Sequence, residues 1–432
     1  MDLAEAVEAI RTKARVKGQS NADLVNLVTR HGDFPKGHVV VPVACIKEHI
    51  DLRPAEALHR LAIATRPRPH DDAAELYRLW GLARYHAFFE CDSSDGLLRV
   101  SNTGAQIVGT QRRHVSEDLG IGFGVLLAER WLQASAPSPR ALNLVDPVDI
   151  DVALRWGSLS VAGREIEVSA GHRYPDYLLV ANDPSKSPRH FRVHVLECKG
   201  TSDPSIAVPQ LARATGQLGS LLVDGQRPSG LAVSTVAAGD TVQYRALELS
   251  GDDRLHEAPM DLLTPDQTVL GFNTARIRTD ASPLDARLSD LPSEVLVAAA
   301  LRVSWARLAG LADDANAARR WAPNAWRGDL AGRPSVDTAR LERPPTTRTP
   351  YGEAVGRRTR ISFGRQALTV FHGVAKPIIK ALSTDGPGAV LSAQAKFANE
   401  LSARHRRSQA RQTTRAHAAS PDGAILSISL SS

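Results

Sequence analysis

Three side chains near the middle of the chain have the types and spacing to do chemistry. Pro175-Asp176 stands at the head of one apolar run, Tyr177 to Ala181, and Glu197-Cys198-Lys199 closes a second, which starts at Phe191. A Pro/Ser/Asn/Asp-rich stretch, Asn182 to Arg189, joins them. Two short apolar runs with such a connection read as a β-hairpin. In a hairpin the start of one strand lies beside the end of the next, so the Asp176 and Glu197 carboxylates are expected together at one sheet edge. Strand side chains repeat every two residues, which puts Lys199 on the face of Glu197 and turns Cys198 into the core as a small apolar group. Two carboxylates suit a hard divalent cation that keeps several of its waters, and such a cation lowers the pKa of a bound water. Lysine adds a flexible point charge, where an arginine fork would bind phosphate but could not act as a base.

The neighbouring sequence supplies elements that could hold this hairpin. Ser116-Glu117-Asp118-Leu119-Gly120 reads as the capped opening of a helix that runs to about Gln133, with two acids at its positive end. Gly120, Gly122 and Gly124 are read as close-packing positions rather than a phosphate loop, because no strand leads into them and no Lys-Ser/Thr pair follows. Strands are expected over Val148 to Trp156 and Leu159 to Val168, a helix over Pro204 to Val223, and strands over Leu231 to Val236 and Val242 to Leu249. A helix crossing between the Glu197 strand and the next makes a parallel pair, so the sheet should be mixed.

Glu197-Cys198-Lys199 is the only acid-x-Lys triplet in the chain, and Pro-Asp occurs at Pro175, Pro265 and Pro421. In this order of elements the residues resemble the PD-(D/E)XK nuclease superfamily, the restriction-endonuclease-like fold, over about Ser116 to Leu249. The resemblance implies an α/β core with a mixed β-sheet flanked by helices and Mg²⁺-dependent cleavage of phosphodiester bonds, with Mn²⁺ able to substitute. It implies that Asp176 and Glu197 ligate the metal, that the Cys198 carbonyl is a further ligand, and that Lys199 orients or deprotonates the attacking water. Family members often carry another acid on the helix before the sheet. Glu117 is the choice here and Glu129 the rival; twelve residues apart, they point about 120° apart around a helix and lie about 18 Å apart along it. A polar residue on the helix after the lysine is also common in the family. Gln210 fits, with Arg213 and Gln217 on the same face, so Gln210 and Arg213 are expected to contact nucleic acid. His172 and His194 have no second ligand at metal spacing and read as structural.

Composition bounds the rest. The chain has 432 residues, 43% hydrophobic and 23% charged, enough for two or three packed domains. Its net charge of +6 suits a polyanionic partner, yet 44 of the 53 basic residues are Arg and 9 are Lys, so the arginine count says little about phosphate binding by itself. Cys45, Cys91 and Cys198 have no metal spacing, the amino terminus shows no signal peptide, and no run of 18 apolar residues occurs. A cytoplasmic protein with no membrane partner is expected. Residues 1–110 are expected to be a mainly helical region that packs rather than reads DNA, 111–250 the nuclease-like core, 251–403 an α+β region, and 404–432 a basic flexible tail. The expected activity is that of a Mg²⁺-dependent endonuclease acting on DNA, and a homodimer is left open. The alternatives are a DNA-binding or assembly protein that keeps the fold without catalysis, and an RNA-cleaving nuclease.

Overall fold

The computed structural model describes residues 2–46, 48–65, 85–91, 94–134, 143–144, 146–155, 168–169, 174–182, 188–239, 241–264, 277–278, 289–323, 346–407 and 415–431. In chain order, the elements that matter here begin with helix α1 (Leu3–Arg11), strand β1 (Ala14–Gln19), helix α2 (Pro54–Ala64) and helix α3 (Gly109–Ala134). The short strand β2 (Val148–Asp149) precedes the hairpin β3 (Tyr177–Asn182) and β4 (His190–Thr201). Helix α4 (Ala207–Leu218), β5 (Gly230–Ala238), β6 (Thr241–Leu249) and helix α5 (Ser293–Leu311) follow. Last come β7 (Thr346–Thr349), β8 (Gly352–Phe363), β9 (Gln366–Ala375), helix α6 (Lys376–Thr384), β10 (Arg415–Ala419) and β11 (Ala424–Ser431).

The chain is mixed α/β around a mixed sheet. Its spine runs from the His49–Leu52 strand through β1, β6, β5, β4 and β3 to Asn143–Leu144. β3 and β4 are antiparallel, β4 and β5 are parallel across the α4 crossover, and β5 and β6 are antiparallel. Period-two alternation assigns the two faces. Tyr177, Leu179, Leu196 and Cys198 pack with Phe123 and Leu127 of α3, while Leu178, Val180, Val193 and Val195 pack with Leu211 of α4 and Trp305 of α5. A second sheet of five strands, in the order β7-β8-β9-β11-β10, packs Leu368, Val370 and Ile428 against the α1 and α2 side of the core and Phe371 against the α5 side.

Several expectations change. Residues 14–19 form a strand: Ala14 and Val16 are buried while Arg15 and Lys17 are exposed, a period of two. β1 pairs with β6 in parallel, so the amino-terminal region is not a separate, mainly helical unit; it supplies edge strands to the central sheet. Helix α3 begins at Gly109, and the Ser116 hydroxyl donates to the Arg112 carbonyl at 2.9 Å as an interior serine does, instead of capping an end. The strand expected over Val148 to Trp156 stops at Asp149, where the Ile150 amide donates to the Asp176 carbonyl at 3.1 Å and a short helix, Ile150–Arg155, starts. The expected flexible tail is strands β10 and β11 over residues 415–431: β11 pairs with β9, and β10 pairs with β11, burying alternate Ala, Ile and Leu side chains. The helix expected over Asp72 to Phe89, the strand over Leu159 to Val168, the linker over Gly328 to Tyr351 and His172 lie wholly or mostly outside the described residues.

Gly120 and Gly124 pack on the sheet as expected, and Gly122 packs on α2, where a Cβ would stand 2.6 Å from the Ala57 carbonyl. A Cβ at Gly120 would stand 2.8 Å from the backbone of Lys199 and Gly200, and one at Gly124 would stand 2.4 Å from the Cys198 sulfur. Overpacking against backbone costs about 1–3 kcal/mol or more, above the roughly 1 kcal/mol that alanine gains over glycine in a helix. Gly120→Ala is therefore expected to lower the denaturant midpoint. Gly386→Ala, where a Cβ meets nothing within 4 Å, should stay within about 0.5 kcal/mol of wild type.

Candidate active site

The β3–β4 hairpin brings Asp176 and Glu197 together through the backbone. Pro175 has no amide to donate and marks the head of β3. The Asp176 amide donates to Glu197 Oε2 at 2.8 Å, and the Cys198 amide donates to Asp176 Oδ2 at 2.8 Å. Each carboxylate thus caps an amide of the opposite strand, and the two side chains extend the ladder where backbone pairing ends. Lys199 Nζ donates to Glu197 Oε1, as expected for side chains two apart on one strand face.

Burial sets the electrostatics of this trio. Glu197 is fully buried. Burial first, and then the Asp176 charge, push its carboxyl up to about 8, with Lys199 offsetting part of the rise. Asp176 is also raised, by burial above all, with Lys199 and the Cys198 amide pulling the other way. Burial alone would lower the Lys199 ammonium, but the Glu197 and Asp176 carboxylates outweigh it and hold the group protonated above its ordinary range. The Cys198 thiol, buried on the α3 side, is pushed well up by burial.

A cleft of about 490 Å³ opens at this edge, lined by Glu117, Asp149, Asp151, Asp176, Lys199 and Gln210 among others. Glu197 stands behind that wall, reached through Asp176 and Lys199. Glu117 is half exposed, within 3.4 Å of His114 and 3.9 Å of Arg113. Because α3 starts earlier than expected, Glu117 sits inside the helix rather than at its opening turn, yet it still borders the cleft. Its rival Glu129 is buried elsewhere in a two-pronged pair with Arg60, at 2.9 and 2.6 Å. Gln210 lines the cleft, 3.5 Å from the Ser234 hydroxyl. Arg213 does not line it and stands 3.8 Å from Asp33, and Gln217 donates to the Tyr174 carbonyl at 3.1 Å. His194 is structural: buried, 2.7 Å from the Ser229 hydroxyl, edge-on to Trp131, and lowered by burial to about 4.

Two acids in the cleft were missed from the sequence. Asp149 ends β2, paired with Tyr177, and Asp151 opens the next helix. Their signal in the sequence is two acids within three residues, Asp149 and Asp151, ahead of Pro175-Asp176. Asp149 and Asp151 each raise the Asp176 carboxyl further. Among the described residues, no three His, Cys, Asp or Glu side chains are close enough to hold a metal by themselves.

No family model, curated protein or solved structure matches the chain. The class that the fold itself defines is an α/β protein with a mixed sheet and an acid-lined cleft at the end of a β-hairpin. No helix among the described residues is long and apolar enough to cross a membrane.

A raised carboxyl binds a proton in the folded state that the unfolded chain has released. The folded protein therefore holds the stability linked to Glu197 below its ordinary carboxyl range and loses it as pH rises towards about 8. Each pH unit crossed costs up to about 1.4 kcal/mol. Urea midpoints of the metal-free protein should fall between pH 5 and pH 8, and Glu197→Gln should flatten that slope; an unchanged slope would show that Glu197 ionises normally.

Proposed function

We propose that the chain is a metal-dependent nuclease that hydrolyses phosphodiester bonds in DNA, with a restriction-endonuclease-like core built on β3, β4, α4 and β5. The observation that carries this reading is the reciprocal bonding of Asp176 and Glu197 beside Lys199 at a cleft. The donor set fits a hard cation. Asp176, Asp149, Asp151 and Glu117 offer oxygen only, and the one nearby sulfur, on Cys198, packs against Gly124 instead. The like charges of Asp149 and Asp151 beside Asp176 are ones that a cation would relieve. Asp176 and Glu197 would hold Mg²⁺ or Mn²⁺, with waters completing the shell. The bound cation would supply a water of lowered pKa and neutralise charge on a phosphate oxygen.

The chain's own residues account for the rest. Glu197 fixes the Lys199 ammonium through Oε1 and the Asp176 backbone through Oε2, so both cleft groups are positioned before substrate arrives. Lys199 enters as a protonated donor, which suits it to steady charge on the phosphate and orient the attacking water more than to abstract a proton. Gln210 on α4 faces the same cleft and is placed to bond a phosphate or sugar oxygen. The Glu197–Lys199 contact, which occupies a carboxylate oxygen that a cation would need, favours a second reading, a protein that binds DNA without cutting it.

Supercoiled plasmid and a labelled RNA, each with millimolar Mg²⁺ or Mn²⁺, separate these readings. Asp176→Asn keeps an acceptor for the Cys198 amide, and it and Lys199→Ala are expected to lower DNA cleavage by at least about 100-fold. Cleavage of RNA alone would reassign the substrate. Salt-dependent DNA binding with no cleavage under either metal would establish the second reading.

A further inference from the structure

The carboxy-terminal sheet carries a basic face that the cleft does not use. Between Glu353 and Asp385 the sequence has no acid and six Arg or Lys residues, a local excess equal to the +6 of the whole chain. The register places part of that charge on one surface. Arg360 pairs with Thr369, Thr369 with Ser429, and Ser429 with Arg415, so one row crosses β8, β9, β11 and β10. Directly paired residues, and residues two apart on a strand, share a face. The next row outward, Ser362, Ala367 and Ser431, and Arg358 one row inward therefore lie on the same side. Arg358, Arg360 and Arg415 are exposed, and Arg358 reaches the Thr347 hydroxyl at 3.1 Å. The opposite side of these strands carries Leu368, Val370 and Ile428 into the core, and on the basic side Phe371 of the Arg358 row packs towards α5, so the open part of the face is its outer two rows. The one acid of residues 415–431, Asp422, is buried in the β10–β11 turn, where it accepts from the Ala424 amide at 3.1 Å.

We propose that this face, with Arg358, Arg360 and Arg415 among the Ser and Thr hydroxyls, binds the sugar-phosphate backbone of duplex DNA. Arginines and hydroxyls are the groups that bond phosphate oxygens without reading sequence. The row spans three strand spacings, about 14 Å, with an arginine at each end. Unpaired strands are held by exposed aromatic rings on which bases stack; the aromatic ring paired into these rows, Phe371, is buried, which favours an intact duplex. The proposal rests on the nuclease reading only for the identity of the polyanion.

Fluorescence anisotropy of a labelled duplex with the full chain in EDTA tests binding apart from cleavage. The double variant Arg360→Gln/Arg415→Gln is expected to bind at least tenfold more weakly. Its plot of log affinity against log salt should be shallower by about 1.8, from two lost phosphate contacts at about 0.9 each. Arg360→Lys/Arg415→Lys should restore most of both, which a merely misfolded face would not. Unchanged affinity and slope in the Gln variant overturn the proposal, as does wild-type binding to phosphatidylserine vesicles or single-stranded RNA in preference to the duplex. If the Gln variant loses binding and the wild type fails to cut with either Mg²⁺ or Mn²⁺, the face stands and the nuclease reading falls. If the Asp176→Asn protein alone loses cleavage and the Gln variant binds as wild type does, the nuclease reading stands and the face falls.

Discussion

The close approach of α3 to β4 constrains the rest of the molecule. A Cβ at Gly200 would stand 1.7 Å from the Ser116 carbonyl, and one at Gly120 would stand 2.8 Å from the backbone of Lys199 and Gly200. Helix and strand therefore touch backbone to backbone at the residues that end the Glu197-Cys198-Lys199 triplet. That contact fixes the height of β4 against the helix, turns Cys198 onto Gly124, and leaves Glu197 and Lys199 on the α4 side. Glu117, one turn before Gly120, is carried to the mouth of the cleft by the same contact. A larger residue at any of these positions would push α3 off the sheet and open the site from behind.

A buried polar network ties the carboxy-terminal sheet to the same helices. Arg60 on α2 grips Glu129 on α3, and the neighbouring His59 Nδ1 lies 3.1 Å from His372 Nε2 on β9. Ser420 of the β10–β11 turn bonds Asp422 and lies 3.4 Å from the other nitrogen of His59. Buried ion pairs add little net stability, because desolvation offsets their attraction, but a misaligned one is costly. Such a network selects one docking of the second sheet over others that bury similar apolar area. It also explains why Glu129 cannot serve the cleft: its carboxylate is already committed on the far side of the core.

The site holds charge that folding alone would not favour. Glu197 has no exposure, and Asp176, Asp149 and Asp151 add like charge beside it. At Glu197 and Asp176, Lys199 and two backbone amides oppose this. Carboxyls raised by burial and by each other occur where a site is arranged for a cation or a proton. The basic side of the second sheet differs in kind, with exposed arginines among Ser and Thr hydroxyls. In the proposed protein, the face would hold the polyanion and the cleft would act on it.

The hairpin, its two acids and its lysine were legible because strand periodicity and a Pro/Ser/Asn/Asp connection are local properties. The crossover helix after β4, and with it the parallel β4–β5 pair, was legible for the same reason. So was the packing role of Gly120 and Gly124, since glycines in a helix with no phosphate-loop context have little else to do. Several features were not legible. β1 is too short and too close to α1 to separate by pattern, and its pairing with β6 on one side and the His49–Leu52 strand on the other makes it a strand. Asp149 and Asp151 enter the cleft because β2 pairs with β3, which is a long-range contact. Glu117 is already preferred over Glu129 in the sequence, but what removes Glu129, its pairing with Arg60 69 residues away, is not visible there. The residues after 414 read as a polar tail until β9 gave them an edge to pair with. The sequence by itself determined which residues could do chemistry, through side-chain type and the two-residue period of a strand. Tertiary structure decided which of them share a cleft and which are consumed in packing, because burial and cross-sheet pairing depend on segments far apart in the chain.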